Sequence, residues 1–371
     1  MMSQPATIPV TVLTGFLGSG KTTVLNRMLM DPRLSDTAVI INEFGEIGLD
    51  HLLVTRSTEN LILLNNGCLC CTVRGDLVQT LADLDARVLN GEVPPFRRVV
   101  IETTGLADPA PILHTIMVDP SVAPRWRLEG VITTVDAVNG ARTLAAHDEA
   151  LKQAAVADRI LLTKSDIASS DDLVAVRRRL DGLIPATPIV DVIDGVVDPA
   201  AILDVGLYYA SGKIADVSRW LLEEPRHAHR HHHHGHGKSG HHAHDVNRHD
   251  DRIRAHCIVI DTPVSWKSFA YWLELLAAMR GEQMLRVKGI VAVEDHPEQP
   301  FVIHGVQHVF HPPIKLDRWP SNDRRTRLVF ITRDMEMQEL ERTLRKFGQT
   351  SAECTSAFPL SPSSPSWASL S

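Results

Sequence analysis

A chain of 371 residues, 44% of them apolar, is long enough for two domains and needs no disulfide staple to hold its core. Lys and Arg number 38 against 45 Asp and Glu, a net charge of −7, and no long basic stripe carries interleaved aromatics, which argues against nucleic acid as the main partner. The opening MMSQPATIPVTVLTGF lacks a secretory pattern and no apolar run reaches the length of a membrane span, so a soluble cytoplasmic protein with no membrane partner is expected.

In chain order, the first predicted strand is Ile8 to Leu13. It runs into TGFLGSGKTTVL, where Gly15, Gly20, Lys21 and Thr22 have the G-x-x-x-x-G-K-[ST] spacing between a strand and a helix. Gly15, Gly18 and Gly20 let the backbone turn tightly. Together with Ser19, Thr22 and Thr23 at the following helix N-terminus they form a cradle of N–H groups for phosphate oxygens. Lys21 brings charge to the β- and γ-phosphates, and the Thr22 hydroxyl can ligate Mg²⁺. A strand at Ala38 to Ile41 leads into INEFGEIGLD, where Glu43, Glu46 and Asp50 sit among glycines as in a loop that reorders around a ligand.

After a strand at Asn60 to Leu64, NNGCLCC places three of the five cysteines, Cys68, Cys70 and Cys71, within four positions. In a reducing compartment such a cluster points to a metal or to thiol chemistry rather than to a disulfide framework. Adjacent Cys70 and Cys71 would make a strained disulfide, whereas three thiolates can converge on one soft or borderline cation. The fourth tetrahedral position falls to a carboxylate such as Glu43, to water, or to a client. Leu77, Leu81, Leu84 and Val88 recur at helical spacing, which predicts a helix over Val73 to Leu89 that begins just after the cysteines.

A strand at Arg98 to Ile101, expected to neighbour the P-loop strand, ends on Glu102, a second carboxylate for Mg²⁺, and the Gly105 N–H that follows can reach a γ-phosphate. Further strands are expected at Gly130 to Val135, Arg159 to Leu162 and Ile189 to Val192, alternating with helical patterns as in a parallel sheet. In TKSD, Asp166 can accept the guanine N1 and N2 donors while the Lys164 stem covers the base, which favours GTP over ATP; Thr163 stands where the guanine motif usually has Asn and leaves that preference open. Lys21 and Glu102 are the expected catalytic groups. Leu106, in place of a water-orienting Gln, predicts slow intrinsic hydrolysis.

Eleven of the 19 histidines lie between His227 and His249 among Gly, Ser, Lys and Arg, a composition that reads as a flexible linker able to gather Zn²⁺, Co²⁺ or Ni²⁺ loosely. Beyond it the pattern becomes that of a small α+β domain: a strand at Ala255 to Ile260 with Cys257 in the core, a helix at Ser265 to Met279, strands at Leu285 to Val293, Phe301 to Phe310 and Arg327 to Ile331, and a helix at Glu336 to Phe347. His304, His308 and His311 read as packing or surface residues rather than a second metal centre. The expected organisation is a nucleotide domain over 1–215, the His-rich linker over 216–252, the α+β domain over 253–350 and a Ser/Pro-rich tail over 351–371.

On GFLGSGKTT, INEFGEIGLD, NNGCLCC, ETTGLADP, TKSD, the His-rich linker, RVKGIV and VIHGVQHVFHPP, the sequence resembles the CobW-type metallochaperone GTPases, relatives of the urease and hydrogenase maturation GTPases. The departures are Thr163 and the second Thr of ETTG. The resemblance implies an α/β P-loop NTPase, a SIMIBI-type G domain with a mainly parallel sheet, joined to a small α+β CobW C-terminal domain. It also implies that INEFGEIGLD is the first switch and that GTP hydrolysis to GDP and phosphate is coupled to delivery of a transition metal. The metal would sit at Cys68, Cys70 and Cys71, between the nucleotide switches. Expected cofactors are Mg²⁺ and Zn²⁺, with Co²⁺ open. Expected partners are GTP, GDP and a client metalloprotein, with a nucleotide-dependent homodimer left open. The alternatives are a cobalt or iron insertion factor and a passive metal store or sensor.

Overall fold

The computed structural model describes residues 7–42, 61–64, 73–185, 187–203 and 252–349. Seven strands form one sheet: β1 (Ile8–Gly15), β2 (Thr37–Asn42), β3 (Leu61–Leu64), β4 (Arg98–Glu102), β5 (Trp126–Asp136), β6 (Arg159–Thr163) and β7 (Ile189–Asp191). Their order is β3-β2-β4-β1-β5-β6-β7, and every pairing is parallel. The near-continuous apolar strands follow from this arrangement, because helices cover both faces.

Alternate residues of β1 serve opposite layers. Val10 and Val12 pack with Leu77, Leu81 and Leu84 of α2 (Val73–Leu89) and with Leu113 and Ile116 of α3 (Ala110–Val118). Leu13 joins Val24, Leu25 and Met28 of α1 (Lys21–Leu29) on the other side. Val135, Ile160 and Leu162 extend the first layer under α4 (Gly140–Ala146), α5 (Asp148–Ala155) and α6 (Ser170–Leu183). The helix expected over Val73 to Leu89 is present with those bounds.

A second, antiparallel sheet comprises β8 (Ile253–Ile260), β9 (Met284–Val291), β10 (Phe301–Val306), β11 (Val309–Phe310), β12 (Ile314–Lys315) and β13 (Thr326–Arg333), in the order β11-β10-β9-β13-β8 with β12 beside β10. One face carries α7 (Trp266–Arg280) and α8 (Met337–Gln349), with Trp272, Phe330 and Leu340 in the shared core. From the other face Leu285 and Ile331 join the α5–α6 core and Val306 joins the α2–α3 core, so this sheet lies between two helical layers.

Two expectations are corrected here. The run Phe301 to Phe310 is a hairpin rather than one strand: Val306 pairs with Val309, and Gln307 turns the chain at φ 53°. Cys257 is exposed rather than in the core. It lies on β8, the edge strand, where its neighbours His256 and Ile258 point inward and the pleat turns residue 257 outward. No described helix is long and apolar enough to cross a membrane.

Candidate functional site

The site is assembled at the carboxyl ends of β1, β4, β5 and β6. The P-loop leaves β1 at Gly15 and enters α1 at Lys21 with Gly20, in the left-handed region at φ 88°, as the capping residue. No side chain caps this helix, which leaves its first N–H groups available to an anion. Gly15 has a second reason to be glycine, since a Cβ there would lie 2.2 Å from the Thr134 hydroxyl. Gly18 also sits at positive φ, 70°.

Lys21 is folded into the loop, its Nζ donating to Gly15 O at 2.9 Å and Phe16 O at 3.3 Å. Thr22 Oγ1 donates to Glu102 Oε1 at 2.8 Å. Glu102 is 4% exposed and pairs with Leu13, so the second carboxylate ends the strand beside the P-loop strand, as expected. A hydroxyl and a carboxylate that meet at this point form a hard-oxygen donor pair of the kind Mg²⁺ prefers. Gly105 abuts the loop: a Cβ there would lie 2.7 Å from Leu17 N.

The loop's far side is tied to β5 and β6. Ser19 Oγ and Thr134 Oγ1 share a hydrogen bond of 2.6 Å, and Thr163 Oγ1 donates to Ser19 O at 2.7 Å. Thr163 thus braces the phosphate loop. Lys164, at φ 57°, donates from Nζ to Asp136 Oδ2 at 2.7 Å. Burial would raise the Asp136 carboxyl, but hydrogen bonds from Lys164 and Asn139 outweigh it and hold the group below its ordinary range. Asp166 is exposed three residues past the end of β6, and Thr23 is exposed on the first turn of α1. A cavity of about 290 Å³ lies between Phe16, Ser19, Thr134, Asp136 and Lys164.

The structure therefore brings Gly15, Gly18, Ser19, Gly20, Lys21, Thr22, Thr23, Glu102, Gly105, Lys164 and Asp166 to one end of one sheet. Cys68, Cys70, Cys71 and Glu43 lie outside the described residues, as do Glu46, Asp50 and the histidine run 227–249. Their flanks are described: β2 ends at Asn42 opposite Leu64, the end of β3, and Ile41 pairs with Glu102. Among the described residues no group of three or more His, Cys, Asp or Glu could hold a metal ion. His304 is buried at 4% exposure, the His308 ring meets that of His114 with centroids 4.5 Å apart, and His311 Nδ1 bonds to Pro312 O.

Sequence reading missed Asp136 and the two threonines Thr133 and Thr134 that precede Val135. Asp136 ends the apolar strand GVITTVD much as Glu102 ends RVVIE, so a carboxylate at a strand terminus was the available signal.

Residues 9–191 match the CobW/HypB/UreG nucleotide-binding domain, and residues 253–348 match the cobalamin synthesis protein cobW C-terminal domain. The chain is 31% identical to the zinc chaperone YjiA of Escherichia coli over 334 residues, covering 90% of this chain and 96% of that protein. It is 30% identical to the zinc chaperone CobW of Pseudomonas aeruginosa over 93% of this chain and 92% of the relative. The zinc-regulated GTPase metalloprotein activator 1 of Schizosaccharomyces pombe is 28% identical over 82% of this chain and 76% of its own. The crystal structure of Zn(II)-bound YjiA GTPase from E. coli superposes with a TM-score of 0.66 at 25% identity, over 92% of this chain and 99% of that one.

Proposed function

Because the chain belongs to the CobW family of P-loop proteins, we propose that it is a GTP-hydrolysing metallochaperone that takes up Zn²⁺ and hands it to a client protein. The observation that carries this reading is the order of strand ends. Glu102 ends β4, and β3, from which the cysteine segment departs, lies two strands away across β2. At one strand spacing each, that separation is about 10 Å. That spacing puts the root of the cysteine segment, at Leu64, near the triphosphate end of β4, and supports the proposal that one loop movement alters both the nucleotide site and a cation held by Cys68, Cys70 and Cys71 with Glu43.

The roles follow from the donors present. Lys21 exchanges the Gly15 and Phe16 carbonyls for phosphate oxygens, a stronger charge-assisted partner. Thr22 and Glu102 would hold Mg²⁺, which when bound neutralises charge on the β- and γ-phosphates. Asp166, exposed just past β6, accepts the guanine N–H groups, and Lys164 covers the base once released from Asp136. Leu106 is exposed and offers no hydrogen bond to water, so turnover by the isolated protein is slow. Beside the three thiolates, the fourth position is the one that Glu43 gives up to a client, and the cargo moves only where GTP and GDP states bind it differently. The supporting relatives are themselves named zinc chaperones or a zinc-regulated GTPase metalloprotein activator.

The test is Zn²⁺ affinity in the presence of a non-hydrolysable GTP analogue and of GDP, with single-turnover hydrolysis of GTP beside ATP and a Cys70→Ala variant. The expected result is GTP hydrolysis and unequal Zn²⁺ affinities that collapse in the variant. Equal affinities in both nucleotide states would leave only a passive metal store.

A further inference from the structure

The segment after Glu102 is gripped from behind by α5. Gln153 is fully buried, and its Nε2 donates to Gly105 O at 3.1 Å and to Ala107 O at 3.0 Å. The preceding residue, Lys152, donates from Nζ to Asp108 Oδ2 at 2.8 Å, while Asp108 Oδ1 accepts from Ala110 N at the start of α3. Gln153 is itself braced, because Thr133 Oγ1 on β5 donates to its main-chain oxygen at 2.8 Å. With Leu17 pressed against the other side of Gly105, this segment is wedged between the phosphate loop and one amide side chain.

That side chain is only half used. Its Oε1 is buried and has no hydrogen-bond partner among the described residues, and the residue itself borders the cavity beside the phosphate loop. A buried acceptor without a donor is unfavourable, and a displaced arrangement of the segment that offered it a main-chain N–H would remove the deficit. The Nε2 group favours the arrangement seen, and the Oε1 group favours a displaced one. Two competing arrangements of one segment are what a nucleotide switch requires.

We propose that Gln153 is a positioning residue for triphosphate recognition: through its bonds to Gly105 and Ala107 it sets where the Gly105 N–H stands relative to the γ-phosphate. The inference rests on the GTPase reading above. The second sheet grips the same helix at both ends, because Arg333 pairs with Asp148 in its first turn and Arg286 bonds to Ala157 and Asp158 just past its last.

GDP lacks the group that Gly105 would meet, so the readout is the ratio of affinities for a non-hydrolysable GTP analogue and for GDP, measured with Mg²⁺ present. Gln153→Met, which removes both donors at similar volume, should lower that ratio about fivefold or more, the weight of one or two hydrogen bonds, with GDP affinity within about twofold of the parent. Gln153→Glu, which sets carboxylate oxygens against two carbonyls, should do the same. Lys152→Ala, at a half-buried position, should shift the ratio less in the same direction and decides the matter where neither Gln153 variant folds. A merely structural role would lower melting temperature and both affinities together. An unchanged ratio in the folded variants, or a parent ratio near one, overturns the role of Gln153. Failure of the parent to bind either guanine nucleotide overturns the GTPase reading instead.

Discussion

The cleft at the strand ends and the seam between the two sheets use the same residue types to opposite ends. In the cleft, Lys21 and Lys164 rest on two main-chain oxygens and a partly buried Asp136, partners they can surrender to a ligand. In the seam, the Asp158 side chain has no solvent exposure and takes hydrogen bonds from Arg286, from Lys288 at 2.6 Å and from Val131 N at 2.9 Å. Burial alone would raise the Asp158 carboxyl, yet the Arg286 and Lys288 charges drive it well below the usual carboxylate range. A cation with exchangeable partners is poised for chemistry. A buried one with permanent partners holds two layers in register.

The contrast breaks most sharply at Asp158. Replacing it with Ala strands two cations in the seam and should cost about 3–5 kcal/mol, read by chemical denaturation, while nucleotide affinity per folded molecule stays near the parent value. Loss of nucleotide binding in the folded fraction would mean that the seam and cleft are not separable. Glu102→Gln is the converse: kcat for GTP should fall about 100-fold, roughly 3 kcal/mol of barrier, with stability changed by less than about 1 kcal/mol.

The seam should also respond to pH. Burial, reinforced by the Arg286 and Lys288 charges, holds His304 well below the ordinary imidazole range, and burial lowers His256 and His311 as well. Below about pH 6.5 the unfolded chain takes up protons that the folded chain refuses. The stabilisation is therefore complete above that pH and fades as pH falls. Between pH 7.5 and 5.5 the folded state should lose roughly 1 kcal/mol through His304, and His304→Leu should flatten the slope. An identical slope in the variant removes His304 from this account. The smallest effect belongs to Arg333→Ala: its pair with the half-exposed Asp148 should be worth under about 1 kcal/mol. Any larger change would mean that α5 transmits more between the sheets than one surface ion pair.

Much of the fold was legible because its signals are local. The apolar runs of β1, β4 and β6, the spacing of Leu77, Leu81 and Leu84, and Gly15 to Thr22 each lie within one element or turn. The proximity of Glu102 to Thr22 followed from expecting the two strands to be neighbours. Cys257 was misread because an apolar strand does not announce which of its faces is covered, nor that it is an edge. Arg286 and Lys288 on β9 and Asp158 just before β6 gave no signal of burial, since a charged residue on or beside a strand ordinarily marks a solvated face, and only the second sheet's docking buries them.

What the amino-acid order settled unaided was the family of fold and the chemistry of the phosphate loop, because a handful of consecutive residues must carry both the turn and its donors. Tertiary structure alone decided that Thr163 braces the loop, that Gln153 grips Gly105 and Ala107, and that Asp158 joins two sheets. Those contacts pair residues up to 144 positions apart. Their energies depend on burial, and burial is a property of the packed molecule that no short stretch of chain contains.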